Sequence, residues 1–275
     1  MFIDAHQHFW QYNPRDYSWM SEEMSVLKRD YFPADLQPLL QSIGFDGAVV
    51  VQARQVPEET DTLLQFAEAN DIVKGVVGWV DLRSPTVARD LEKYAANPKF
   101  KGVRHILHDE PDDQFMLLPE FQRGLRELKS FGLTYDLLLR PRHIPVAIQL
   151  VQNFPDQPFV VDHIAKPLIK EHILSPWEQD FRELATYENV TCKLSGMVTE
   201  ADWKNWTPDD LKPYLDIALD AFGADRLMIG SDWPVSTLCG DYASVMNVVI
   251  DYAKKLSPQD QAKILGDNCV RFYSI

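Results

Sequence analysis

Met1-Phe-Ile-Asp-Ala-His-Gln-His-Phe-Trp10 sets two histidines and an acid into a short apolar run. In an extended strand successive side chains leave on opposite faces, so His6 and His8 share a face roughly 7 Å apart along the backbone, with Asp4 on it too. Phe2, Ile3 and Ala5 read as the buried part of a central strand. Two imidazoles at that spacing reach one centre, which then lies at the strand's carboxyl end. A buried strand with both rings bonded to neighbouring carbonyls gives the same local pattern, so the decision passes to the strands that follow.

Working outward, residues 9–32 form a long loop carrying Trp10, Tyr12, Tyr17 and Trp19, and loops of that length in compact chains are usually functional. A helix is expected over Pro33–Ser42, with proline in its first turn and Gly44 just past its end. Gly47-Ala-Val-Val-Val-Gln52 is a continuous β-branched run, the mark of a strand covered on both faces. The alternation then repeats. Helices over 58–69, 86–96, 120–131, 144–153, 177–187 and 209–222 lead to strands at 75–80, 101–106, 133–139, 158–163, 190–195 and 227–232. Two more helices, 242–256 and 258–266, close the chain. Eight strands, each followed by a helix, define an α/β chain and predict a single (β/α)8 TIM barrel with a long loop after its first strand, one domain over 1–275.

Composition narrows the function classes. With 41 acidic against 27 basic residues the net charge is −14, which repels nucleic acid and anionic membrane and leaves a small molecule as the expected partner. The mean hydropathy is −0.25. No apolar run approaches the roughly 18 residues of a membrane span. The three cysteines, Cys192, Cys239 and Cys269, are widely spaced and form neither a disulfide framework nor a zinc motif. Together with a first segment that already reads as a structural strand, this predicts a cytoplasmic protein. A homodimer is the default for a soluble enzyme.

Barrel active sites sit where strands end and βα loops begin. Those ends hold His6 and His8, Gln52 and Arg54, Trp79, Arg104 with His105 and His108, Tyr135 with Asp136, His163, Lys193 with Ser195, and Asp232. Six of the seven histidines, all but His172, fall there or in the loops just after, and that shared position favours a site over separate structural roles. Alternation puts Arg104 and His105 on opposite faces, and the expectation is Arg104 inward and His105 outward. For Trp10, Trp19 and Trp79, stacking on a ligand competes with packing on the rim. Lys193 shares a face with Ser195, yet a strand-end lysine can also reach solvent.

The opening His-x-His, Asp162-His163 on strand six and Gly230-Ser231-Asp232-Trp233-Pro234 on strand eight resemble the amidohydrolase superfamily. With Gly102-Val-Arg-His105 and Leu139-Arg-Pro141, the whole chain is similar to the amidohydrolase-2 branch of sugar-acid lactonases and 2-pyrone-4,6-dicarboxylate lactonase. The resemblance implies hydrolysis of a sugar-acid lactone by water attack on the ester carbonyl. In this reading Asp232 takes the proton from water and returns it to the leaving alkoxide. His163, His6, His8 and Arg104 hold the developing oxyanion, directly or through a metal, and Tyr135, Trp79, Gln52 and Trp10 contact the substrate. His6, His8, His163 and Asp232 are the ligand set for one divalent ion, zinc by donor type. The fixed charge of Arg104 opposes a metal and can do part of its work, so a metal-free version stands beside it. Where binuclear members carry a bridging residue and a histidine, this chain has Arg104-His105 and Tyr135-Asp136, which argues against two metals. Two rival readings remain: metal-dependent non-oxidative decarboxylation, which barrels of this superfamily also perform, and a catalytically silent binding protein.

Overall fold

A computed structural model describes Met1–Ile275, in which eight parallel strands form one sheet in the order β1 to β8. They are β1 Ile3–Gln7, β2 Gly47–Val51, β3 Val73–Gly78, β4 Phe100–His105, β5 Thr134–Leu137, β6 Phe159–Val161, β7 Val190–Leu194 and β8 Leu227–Ile229. The helices between them are α1 Pro33–Ser42, α2 Pro57–Ala69, α3 Val87–Ala95, α4 Pro119–Leu128, α5 Ile144–Asn153, α6 Trp177–Leu184 and α7 Pro208–Phe222, and α8 Tyr242–Ala253 follows β8. Proline opens α1, α2, α4 and α7, where its missing N–H is no loss because first-turn amides have no intrahelical partner. The barrel is closed between β1 and the segment after β8 by two backbone bonds, His8 N to Trp233 O at 2.7 Å and Asp232 N to His6 O at 2.8 Å. No helix is long and apolar enough to cross a membrane.

Alternation along each strand divides the apolar residues into two layers. Ile3, Ala5, Val49, Val51, Val77, Val160 and Met228 fill the barrel interior. Ala48, Val50, Val76, Val103, Tyr135, Phe159 and Cys192 face outward and belong to the larger cluster packed under the helices. Above the inner apolar layer, toward the carboxyl ends, the interior becomes polar.

Three sequence expectations shift. β3 begins at Val73 and ends at Gly78, two residues before the expected bounds. The expected last helix over 258–266 is instead α9 Pro258–Ala262, a π turn over Lys263–Asp267 and α10 Asn268–Tyr273. Gly266 does not end a helix; it allows the turn to lie against the chain start, where a Cβ would sit 1.8 Å from the Met1 carbonyl oxygen. Third, Asp4 does not share the histidines' environment. The ladder to β2 shifts register between Asp4 and Gln7, and the Asp4 carboxylate accepts hydrogen bonds from Ser231 Oγ at 2.6 Å and Tyr242 Oη at 3.0 Å. That bulge is how Ala5 can fill the inner layer while His6 also turns inward.

The loop over 9–32 is ordered. Trp10 and Tyr31 exchange backbone bonds at 2.9 and 3.0 Å, closing its base, and a 3-10 turn spans Glu22–Leu27.

Candidate active site

Asp232 is the hub. Its Oδ1 lies 3.3 Å from His8 Nε2, 3.7 Å from His6 Nε2 and 3.8 Å from His163 Nε2. Two departures from regular strand geometry bring these groups together. Asp232 has φ +56°, and His163, Ile164, Ala165 and Lys166 form an unbroken left-handed run with φ between +46° and +60°. The run begins directly after Asp162 and lets the consecutive Asp162 and His163 both reach the interior, which a plain strand forbids. Each such non-glycine residue costs on the order of 1–3 kcal/mol, strain that persists only where the surroundings enforce it.

The other ring nitrogens are tied down. His8 Nδ1 lies 2.7 Å from the Val51 carbonyl oxygen, which can only accept, so Nδ1 carries a proton and Nε2 is the nitrogen that faces the centre. His163 Nδ1 sits 2.9 Å from Ser195 Oγ. His6 lies between Asp162 and two cations: its Nδ1 is 3.2 Å from Asp162 Oδ1 and 3.3 Å from Lys193 Nζ, and its Nε2 is 3.3 Å from Arg104 Nη1. The Nε2 atoms of His6 and His8 are 3.3 Å apart. Such atoms and the Asp232 carboxylate repel one another unless a cation or proton lies among them. A tetrahedral ion with bonds of about 2.0–2.1 Å sets its ligands about 3.3 Å apart, so the donor set fits one. His6, His8 and Asp232 form a group able to hold a metal ion.

Beneath the histidines lies a buried ionic layer. Arg104 Nη1 donates to Asp162 Oδ2 at 3.0 Å, its Nε to Gln52 Oε1 at 3.0 Å, and its Nη2 to the Gln52 carbonyl. Lys193 Nζ lies 2.5 Å from Asp136 Oδ2 and 3.0 Å from Asp162 Oδ1. In this layer and the centre above it three carboxylates (Asp136, Asp162, Asp232) face two cations (Arg104, Lys193), so the guanidinium, already paired, does not bar a cation. Burial pushes Asp136 up to about 6. Asp162 is also raised by burial, but Lys193 and His6 outweigh it and hold the carboxyl well below its usual range. Asp232 follows the same pattern, with the facing His163 the largest force that keeps it ionised. Burial drives His6 and His163 below the usual imidazole range, against the pull of Asp162 on His6 and of Asp232 on His163.

A cavity of about 410 Å³ opens above this centre. His8, His163, Asp232, Arg104 and Trp10 line it, so five of the expected site residues meet there, while His6 lies just behind its wall. Other expectations are redirected. Tyr135 faces outward, its ring edge-on to Phe121 at 6.0 Å and Phe159 at 6.2 Å, because alternation gives the inward place to its neighbour Asp136. Trp79 is also away from the cavity, its Nε1 donating to His105 Nδ1 at 3.3 Å, and His105 stacks on Phe115 at 4.8 Å, outward as expected. Gln52 grips Arg104 and does not line the cavity. Lys193 has no exposure to solvent. A lysine on the inward face had to find acid partners, and Asp136 was the legible candidate. The rim residues Trp203 and the pair Lys166–Glu200, 2.6 Å apart, carry no sequence signal, whereas the rim residue Arg140 belongs to the Leu139-Arg-Pro141 motif.

An eight-stranded barrel holding a histidine–aspartate centre at the carboxyl ends of its strands is the frame of a barrel hydrolase. The chain belongs to the amidohydrolase family, whose model matches residues 3–275. It is 39% identical over 279 residues to an L-fucono-1,5-lactonase of Burkholderia ambifaria, covering 99% of this chain and 95% of that one. A second L-fucono-1,5-lactonase, from Burkholderia multivorans, is 39% identical over 284 residues, covering 99% and 96%. The crystal structure of an amidohydrolase from Burkholderia multivorans with bound Zn matches at TM-score 0.96 and 39% identity, over 100% of this chain and 99% of that one.

Proposed function

We propose that the protein hydrolyses the ring ester of a sugar-acid lactone of the L-fuconolactone type. The observation that carries this reading is Asp232, a carboxylate kept ionised on the wall of a cavity of about 410 Å³ with three imidazole nitrogens within 3.8 Å. The lactonases at 39% identity supply the substrate class. Opening a lactone needs a base for the attacking water, a counter-charge for the tetrahedral oxyanion and a proton for the leaving alkoxide. Asp232 takes the water's proton and, once protonated, returns it to the ring oxygen. His163, fixed by Ser195, faces the same space and orients the carbonyl. Arg104 donates to Gln52 and Asp162 and brings its Nη1 within 3.3 Å of His6 Nε2, so its part is to hold both Asp162 and the ring of His6.

His6, His8 and Asp232, with His163, would hold one divalent ion, zinc by the nitrogen–carboxylate donor set and by the Zn in the related crystal structure. When bound, such an ion polarises a carbonyl and makes its water more acidic. The three free cysteines, two of them fully buried, agree with a cytoplasmic setting.

The test is proton release on a panel of aldonic 1,4- and 1,5-lactones with enzyme as isolated and with metal-stripped enzyme, beside Asp232→Asn. Turnover of 1,5-lactones by the wild type and a loss of about 10³-fold or more in the variant are expected. No turnover on any lactone, or near-full activity in the variant, overturns the reading; carbon dioxide release from an aromatic acid would transfer it to decarboxylation.

A further inference from the structure

The last helix, α10, does not merely cover the barrel. Cys269 and Tyr273 enter the inner layer with Ile3, Ala5, Val49 and Val160, so α10 plugs the end of the barrel opposite the cavity. The plug is held firmly. Asn268 Nδ2 donates to the carbonyls of Ala224 and Leu227, each at 2.7 Å, and Lys101 Nζ donates to the Ser274 carbonyl at 2.8 Å. From this anchored helix the Tyr273 hydroxyl donates to Asp136 Oδ2 at 2.8 Å.

Asp136 Oδ2 is also the nearest partner of Lys193, at 2.5 Å. The ammonium also forms an ion pair with Asp162 Oδ1 at 3.0 Å, and lies 3.3 Å from His6 Nδ1. Asp162 Oδ1 is in turn the atom facing His6 Nδ1 at 3.2 Å. We propose that Tyr273 is a positioning residue for the active site: by fixing Asp136 it fixes Lys193, and the ammonium in turn holds Asp162 and the ring of His6, whose Nε2 lies 3.7 Å from Asp232. All five side chains are buried, so no water makes good a lost partner. Without the hydroxyl, the carboxylate of Asp136 is free to rotate about its last bond, and its second oxygen, which has no partner, can then draw the ammonium away from Asp162. Tyr273 touches neither the cavity nor the histidines, so its effect falls on how well the centre is set and not on substrate affinity.

As a matter of catalysis this rests on the lactonase reading, so the experiment has two arms. Tyr273→Phe keeps the ring in the plug and removes only the hydroxyl. Its kcat on the best lactone of the panel is expected to fall about 10- to 100-fold, the usual range for partners that orient ligands, with KM unchanged. In ¹⁵N-histidine-labelled protein the His6 ring signals should show a single state in the wild type and a shift or second population in the variant. This arm needs no turnover, so it tests the inference even if no lactone is hydrolysed. Cys269→Ala serves as control: it loosens the packing of the same helix without touching Asp136, and should lower the melting temperature while leaving kcat and the His6 signals in place. Wild-type kcat with unchanged His6 signals in Tyr273→Phe overturns the proposal. So does an equal fall in Cys269→Ala, which would make the effect one of packing.

Discussion

At the scale of single residues, the site depends on where backbone is allowed to pass close to a ring. Gly196 has φ +60°, and a Cβ there would stand 2.4 Å from His163 Nδ1 and 2.6 Å from its Cγ. Neither the backbone conformation nor the ring can absorb that contact, so the imidazole must swing away from Ser195 and from Asp232. Gly196→Ala is therefore expected to lower kcat/KM by about 100-fold, the order of loss for a reacting group misplaced by about 1 Å. The protein should still melt cooperatively, because no core contact is removed. Steady-state kinetics beside a melting curve checks both halves. An active Gly196→Ala would mean that the orientation of His163 is not important to the reaction.

At the scale of elements, α2 governs how the long loop meets the cavity. Glu59, in the first turn of α2, accepts from the amides of Ala53 at 3.0 Å and Arg54 at 2.8 Å, and the Arg54 guanidinium pairs with Asp16 in the loop that carries Trp10 and Trp19. Burial pushes Glu59 up to about 7 from its usual 4.5, the amide bonds and Arg54 offsetting only part of that cost. The folded state therefore binds this proton more tightly than the unfolded chain. The resulting stability is fully present below about pH 4.5 and is lost as pH rises through about 7, on the order of 3 kcal/mol. Urea midpoints taken across that window for wild type and Glu59→Gln should diverge, the wild type losing ground with rising pH relative to the variant; parallel curves would refute the shift. The elements themselves were largely legible. Pro33 announces a helix start, and the run Gly47–Gln52 announces a strand covered on both faces. What the sequence did not reveal are the local exceptions to period two: the register shift after Asp4, which turns that carboxylate to Ser231 and Tyr242, and the left-handed run after Asp162, which places two consecutive residues inside. Alternation correctly separated Arg104 from His105 and, applied to Tyr135 and Asp136, would have chosen the aspartate. The preference for tyrosine was chemical and lost to geometry.

At the scale of the whole molecule, the active site coincides with the barrel's weakest seam. Seven of the eight strand contacts are full ladders, whereas β1 meets the end of β8 through two backbone bonds, His8 N to Trp233 O and Asp232 N to His6 O. The residues able to hold an ion lie on both sides of that seam, His6 and His8 on one and Asp232 on the other, with His163 beside them. A bound divalent ion therefore ties the first strand to the last, and its binding free energy becomes stability of the closed barrel: a ligand at about 100 times its Kd contributes about 2.7 kcal/mol. Metal-stripped enzyme is expected to melt several degrees lower than enzyme with one equivalent of zinc, about 2–4 °C per kcal/mol for a chain of this size. Asp232→Asn should lose most of that zinc-dependent gain, because one side of the clasp loses its charge. Identical melting curves with and without zinc would show that the seam closes on its own, leaving Arg104 and Lys193 as the only cations the centre uses.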